Sequence, residues 1–86
     1  MELVVVSQNN CAPCKKLYNA LDSEGIEYTV FNISETESIE VQGETFTMQD
    51  LDVMGTPVTI LFDEGEEIAR VAGFNTQGIK MLISQM

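Results

Sequence analysis

The 86-residue sequence contains no histidine, only two cysteines and only four lysine and arginine residues. A zinc or iron–sulfur site is normally held by four cysteine or histidine ligands, so one chain supplies at most half of such a site. Metal binding would need a second chain or an outside thiol, and we predict no metal. Fourteen acidic residues give a net charge of −10, which repels phosphate backbones and argues against a nucleic-acid partner.

Long hydrophobic runs are missing as well. No apolar stretch reaches the roughly 18 residues that a membrane-spanning helix needs. The N-terminal segment MELVVVSQNN has an acid where a signal peptide carries basic residues, and its apolar run is short. The chain is 44% hydrophobic and 21% charged, as soluble globular proteins are. We therefore expect a single domain over residues 1–86, located in the cytoplasm and without membrane contact.

A strand, a helix and a second strand are predicted within the first 33 residues. The run Leu3–Val6 is typical of a strand buried on both faces. From residue 14 the apolar residues recur at 14, 17, 18 and 21, the spacing of one helix face. Pro13 suits the first turn of that helix and Gly25 its end. The second apolar run, residues 28–33, completes a βαβ unit with parallel strands.

Residues 34–54 allow more than one interpretation. The segment SETESIE is acidic and weakly patterned, and fits either a loop or a frayed helix. Alternation on either side of Gln42-Gly43 permits a small hairpin. A short helical turn through Met48–Val53 is the competing interpretation of its second half.

The remaining residues predict a hairpin and a closing helix. Val58–Phe62 is a strand, DEGE is a tight turn, and Glu67–Val71 is the antiparallel partner. Gly73 ends that partner strand. Asn75 or Thr76 is placed to cap a last helix. Its apolar stripe consists of Ile79, Leu82, Ile83 and Met86.

The two cysteines, in CAPC, have three possible roles: a metal site, a structural disulfide or a redox centre. The metal site lacks ligands. A disulfide between residues three apart closes a very small loop, which removes little chain entropy. A reducing cytosol would in any case keep the two thiols reduced. Dithiol–disulfide chemistry is therefore favoured.

A Cys-X-X-Cys pair at a helix start is suited to that chemistry. Unpaired N–H groups and the helix dipole stabilise a thiolate there, and the thiolate is the attacking species in disulfide exchange. We predict that Cys11 faces solvent as the nucleophile and that Cys14 is the resolving thiol inside the first turn. Lys15 and Lys16 follow directly and add positive charge that would lower the pKa of the nucleophile.

Pro57, in GTPVTILF, comes immediately before a predicted strand. Proline is tolerated there because it need not donate to the ladder, so an ordinary trans proline explains it from the residues alone. A cis Thr56–Pro57 bond is the alternative, and it would turn the backbone towards the cysteines.

Taken together, these motifs resemble the thioredoxin superfamily over nearly the whole chain. CAPCK is similar to the thioredoxin motif Cys-Gly-Pro-Cys-Lys, and VMGTPVTILFDEGEEIARVAGF is similar to the later Gly-x-Pro, strand, acidic turn and strand. The resemblance implies an α/β thioredoxin-like fold, a four-stranded mixed β-sheet flanked by two to three helices. It also implies that Pro57 is cis and that the Thr56 backbone pairs with substrate. The further substrate contacts that we expect are Ala12, Pro13, Gly73 and Phe74.

Several positions depart from the family pattern. Asn10 stands where thioredoxins carry tryptophan, and the run Val4–Val6 replaces their buried acid. The chain has the size of a glutaredoxin but lacks the Cys-Pro-Tyr-Cys motif and the glycine pair and acid of a glutathione clamp. Gly73-Phe74 is similar to the Gly-Phe of small redoxins that donate electrons to ribonucleotide reductase.

The sequence thus predicts a thiol–disulfide oxidoreductase that reduces protein disulfides. We expect a monomer with no bound organic cofactor, recharged by thioredoxin reductase in preference to glutathione. Two alternatives stay open: a glutathione-dependent glutaredoxin, and a partner-binding module in which redox turnover is incidental.

Overall fold

The computed structural model describes every residue from Met1 to Met86 and contains six strands and two helices. Neither helix has the length and hydrophobicity of a transmembrane span. In chain order the elements are β1 (Glu2–Ser7), α1 (Ala12–Ser23), β2 (Thr29–Asn32), β3 (Ser38–Val41), β4 (Glu44–Thr47), β5 (Val58–Asp63), β6 (Glu66–Ala72) and α2 (Thr76–Ser84).

A four-stranded mixed sheet with the order β2-β1-β5-β6 forms the centre of the fold. β1 runs parallel to β2 and antiparallel to β5, which in turn pairs with β6 in a hairpin. The predicted βαβ unit and C-terminal hairpin are therefore confirmed. Val4, Val5 and Val6 are fully buried, as expected for a central strand covered on both faces.

The two faces of the sheet are covered by different layers. Both helices lie on one face, where Leu17 of α1 and Leu82 of α2 pack with Leu3 and Val5 of β1. The sequence left two or three helices open, and the structure has two. The opposite face is covered by the β3–β4 hairpin and the segment after it. This second core consists of Val4, Val6, Phe31, Val41, Leu51, Val53, Val58, Ile60 and Phe62.

The ambiguous middle segment contains both a hairpin and a turn. Residues 34–37 form no helix, so SETE is a loop, and the following SIE already belongs to β3. β3 and β4 pair from Ser38↔Thr47 to Val41↔Glu44 around Gln42-Gly43, both of which have positive φ. Such φ values characterise the type I′ turns that close two-residue hairpins. The chain then makes a turn, in which the Leu51 N–H donates to the Thr47 carbonyl.

The helix ends follow the capping residues. Cys11 is the N-cap of α1 and Pro13 lies in its first turn, while Gly25, with φ 69°, follows the helix end. Asn75 caps α2 by accepting a hydrogen bond from the helix backbone. The prediction that Met86 belongs to the apolar stripe is wrong, because α2 ends at Ser84 and Met86 is 50% exposed.

Candidate active site

The two cysteines lie at the junction between β1 and α1. β1 ends at Ser7, and Asn10 turns the chain with φ 58°, a left-handed conformation that asparagine tolerates better than most residues. Cys11 then caps the helix: its Sγ accepts a hydrogen bond from the Cys14 N–H at 3.3 Å. The two sulfurs form a disulfide, with 5.3 Å between the Cα atoms.

Both cysteines are more enclosed than the sequence suggested. Cys11 is 7% exposed and Cys14 is 1% exposed. The order of exposure is the one that we predicted, but the first cysteine lies in a shallow recess of the surface. An attacking group must therefore reach Cys11 through a small opening and has no direct access to Cys14.

A polar network holds the loop that precedes the cysteines. The Asn9 backbone N–H donates to Ser34 Oγ, and the Asn32 side-chain amide donates to Asn9 Oδ1, each at 3.0 Å. Ser34 in turn donates its backbone N–H to Asn32 Oδ1 at 2.9 Å. These bonds tie the loop to the end of β2 across more than 20 residues of sequence. This network was not predicted from the sequence, in which the adjacent Asn9 and Asn10 were the available signal.

The segment before β5 reaches the cysteines from the other side. The Thr56–Pro57 bond is cis, as the family resemblance implied. Thr56 Oγ1 donates a hydrogen bond to Cys11 Sγ at 3.7 Å. The Gly73 N–H donates to the Pro57 carbonyl at 2.7 Å. Cys11, Thr56, Pro57 and Gly73 are therefore brought together, although they are distant in sequence.

The backbone of Thr56 is free to bind another chain. Its N–H and its carbonyl make no hydrogen bond within the protein. They lie between Gly55 and the buried Pro57, directly before β5 begins. An unpaired donor and acceptor beside a sheet can bond the main chain of an extended peptide.

A groove of about 410 Å³ runs past this segment, between residues 52–58 and the end of β6. Met54 beside it is 97% exposed, and Phe74 after β6 is 41% exposed. A larger hollow, of about 930 Å³, lies near Met1 and Met86 and contains neither cysteine. We assign the candidate site to the smaller groove because its Thr56 contacts Cys11, one of the only two cysteines of the chain.

Charged groups surround this site unevenly. Lys15 and Lys16 are exposed on α1, as are Ala12 and Pro13, and neither lysine forms an ion pair. Arg70 lines the groove, and its hydrogen bond to Glu67 raises the Arg70 pKa further above its usual range. No group of three or more His, Cys, Asp and Glu side chains is placed to hold a metal ion.

Comparison with known proteins agrees with this architecture. The thioredoxin-like domain family matches residues 2–82. The SPbeta prophage-derived thioredoxin-like protein YosR of Bacillus subtilis strain 168 is 34% identical over 87 residues, covering 100% of this chain and 99% of that protein. The chain therefore belongs to the thioredoxin-like family, within the thioredoxin superfamily.

Solved structures share the fold at lower identity. The thioredoxin-like protein BC3987 superposes with a TM-score of 0.68 at 22% identity, over 94% of this chain and 99% of that one. Thioredoxin f2 of Chlamydomonas reinhardtii gives a TM-score of 0.74 at 18% identity, over 96% of this chain and 75% of that one. The thioredoxin-like fold is thus confirmed. Together with the close Cys11–Cys14 pair it indicates a redox oxidoreductase in general terms.

Proposed function

We propose that this protein reduces disulfide bonds in other proteins through the Cys11–Cys14 dithiol. The observation that carries the proposal is the position of Cys11 at the N-cap of α1, where its sulfur accepts the Cys14 N–H. A helix N-terminus presents unpaired N–H groups and a positive dipole end. Both favour the negatively charged form of a sulfur, which is the nucleophile in disulfide exchange.

The reaction conserves electrons in two exchange steps. The Cys11 thiolate attacks one sulfur of the substrate disulfide, so that a mixed disulfide forms and the other substrate sulfur leaves as a thiolate that takes up a proton. Cys14 then loses its proton and attacks Cys11 Sγ, which releases the second substrate thiolate. Two electrons have passed to the substrate, and the protein is left with the Cys11–Cys14 disulfide.

Substrate binding is assigned to the groove beside Cys11. The unpaired N–H and carbonyl of Thr56 would bond the main chain of an extended substrate segment, as in other cases of strand addition. Pro57, Gly73 and the half-exposed Phe74 would border that segment on one side. Ala12 and Pro13, exposed between the two cysteines, would border it on the other.

An external reductant must restore the dithiol. We propose thioredoxin reductase in preference to glutathione, because VAGFNTQG lacks the paired glycines and the acid of a glutathione clamp. Lys15 and Lys16 are proposed to stabilise the thiolate through their positive charge. The effect is small, because both lysines are exposed and their charges are screened by solvent.

Insulin reduction tests the proposal, with wild type, Cys11→Ser and Cys14→Ser compared side by side. Wild type should turn over, Cys11→Ser should be inactive, and Cys14→Ser should accumulate a covalent mixed disulfide. If wild type does not reduce insulin or any other protein disulfide, the reductase proposal is wrong and a partner-binding module is favoured.

Recharging is tested by supplying either NADPH with thioredoxin reductase, or NADPH with glutathione and its reductase. If the dithiol is restored by the glutathione system but not by thioredoxin reductase, the glutaredoxin alternative is favoured.

A further inference from the structure

Two hydrogen bonds join the walls of the candidate substrate groove. The Gly73 N–H donates to the Pro57 carbonyl at 2.7 Å. Arg70 Nη2 of β6 donates to the Leu51 carbonyl at 2.6 Å. The segment 52–56, which lines the groove, lies between these two bonds along the chain, so each of its ends is tied to β6 or to the residue that follows it.

The segment itself is held weakly between its ends. The Asp52 and Val53 N–H groups bond to carbonyls of the preceding turn, and no main-chain group of residues 54–56 forms a hydrogen bond within the protein. Val53 has the only buried side chain of the segment, and Met54 is 97% exposed. The position of the Thr56 backbone therefore depends on where the two ends are fixed.

The Arg70 side chain has a defined direction. Its Nε and Nη2 both donate to the carboxylate of Glu67, three residues earlier on the same strand. A guanidinium is planar and presents its donors in a rigid fork, so this pair also sets the direction of the remaining bond, to the Leu51 carbonyl. That bond has a charged donor, which makes it stronger than one between neutral groups.

We propose that Arg70 is a positioning residue for substrate binding. By tying Leu51 to β6, it places the unpaired N–H and carbonyl of Thr56 where the main chain of a substrate can bond to them. This proposal rests on the function proposed above, in which the substrate binds as an added strand. Arg70 makes no hydrogen bond to Cys11, whose sulfur is contacted by other groups, and so has no part in the exchange chemistry.

Protein disulfides and small disulfides should therefore depend differently on Arg70. A protein disulfide needs exchange at Cys11 and main-chain pairing at Thr56. Hydroxyethyl disulfide, which has no main chain, needs only the exchange. Without the bond to Leu51 the segment samples more positions, and a substrate that pairs with it must then order it at a cost in entropy.

Steady-state reduction of insulin and of hydroxyethyl disulfide measures this difference, with circular dichroism to confirm that each variant is folded. Arg70→Met should lower kcat/KM for insulin roughly tenfold, the effect expected for loss of one hydrogen bond to a charged group. The loss should appear chiefly as a higher KM, and reduction of hydroxyethyl disulfide should be unchanged. Glu67→Gln is the matched control, because it removes the ion pair and keeps the Arg70 donor to Leu51, and it should stay close to wild type on both substrates.

Amide hydrogen exchange of the disulfide form, followed by NMR, tests the same role without turnover. The Leu51 and Val53 N–H groups are bonded within the turn, and the Ile33 N–H, bonded to the Ser7 carbonyl at the opposite edge of the sheet, is the reference. Arg70→Met should accelerate exchange in the turn by roughly tenfold relative to Ile33, and Glu67→Gln should not.

An unchanged exchange ratio in Arg70→Met would overturn the proposal. Equal losses on insulin and hydroxyethyl disulfide would also overturn it, and so would a Glu67→Gln variant as impaired as Arg70→Met. If wild type reduces no protein disulfide, the proposed function is wrong, and the exchange ratio alone still decides whether Arg70 positions the segment.

Discussion

Gly78 of α2 lies against Val71 of β6, and adding a single methyl group there tests how closely the helix packs on the sheet. An alanine Cβ at position 78 would lie 2.8 Å and 2.9 Å from the two γ-carbons of Val71. Real Cβ atoms essentially never approach so closely. Either the helix or the valine must therefore move, and β6 leads directly into Gly73 beside the active site.

The expected magnitude is a balance of two terms. Alanine is better than glycine in a helix interior by about 0.8–1 kcal/mol, which is an upper value for Gly78 because it is the third residue of α2. Overpacking a core contact costs about 1–3 kcal/mol. Gly78→Ala should therefore lower the free energy of unfolding by up to about 2 kcal/mol, or, where the packing relaxes well, leave it unchanged. In a Val71→Ala background the clashing γ-carbons are gone, so the same substitution should stabilise the protein by up to about 1 kcal/mol.

Urea unfolding of the four proteins of this double-mutant cycle, all in the disulfide form, measures the coupling. We expect an interaction energy of at least about 1 kcal/mol, within the range found for residues in contact. Gly55→Ala is a control, because a Cβ there meets no atom within 4 Å, and it should be close to neutral. If Gly78→Ala has the same effect in both backgrounds, the packing argument is refuted.

Side chains outside this contact offer three simpler tests. Arg70→Met should lower the free energy of urea unfolding by about 1–2 kcal/mol, because Arg70 donates a charge-assisted hydrogen bond to the Leu51 carbonyl. Glu67→Gln removes only the part-exposed ion pair and should lower it by less than about 1 kcal/mol. Equal losses in the two variants would contradict this reasoning. Asn75→Ala removes the α2 cap and should cost about 1 kcal/mol in thermal unfolding, whereas Asn75→Ser should retain most of the stability. Burial, and to a smaller extent a hydrogen bond to the Asp22 carboxylate, raises the pKa of Tyr28 above 10.0. The stability that this pKa shift contributes is therefore complete below pH 10 and is lost as the pH rises through the folded-state pKa. Tyr28→Phe should show a flatter loss of stability above pH 10.

The first βαβ unit could be predicted because local pattern and tertiary environment agree there. Three consecutive valines are buried equally in the structure, and a continuous β-branched run indicates such a strand. Leu17 and Leu21 mark the buried face of α1 at helical spacing. Each local preference points to the same structure, so no information from the rest of the chain was needed.

The sequence permitted the hairpin over residues 38–47, but it could not predict that this hairpin covers the second face of the sheet. Its strands have four residues each, too few for alternation to stand out from chance. Val41 is completely buried, and Phe46 packs against Phe62 with ring centroids 5.2 Å apart. These contacts join residues far apart in sequence, and burial of this kind is decided by tertiary packing and only weakly by strand propensity.

The site was predictable in its chemistry but not in its side-chain contacts. Spacing placed Cys11 and Cys14 at a helix start, and the family resemblance brought the Thr56–Pro57 segment to them. The hydrogen bond from the Thr56 hydroxyl to Cys11 depends on the conformation of a side chain 45 residues away. No local pattern encodes such a contact, and only the backbone of Thr56 could be given a role from the family resemblance.

The hydrogen-bond surroundings of the two sulfurs also differ in the way that the roles proposed for them require. Burial without a donor disfavours a charged sulfur, which applies to Cys14. Cys11 has two donors at its sulfur, and donors favour the charged form. The proposed order of attack, Cys11 first and Cys14 second, thus follows from where the hydrogen-bond donors lie.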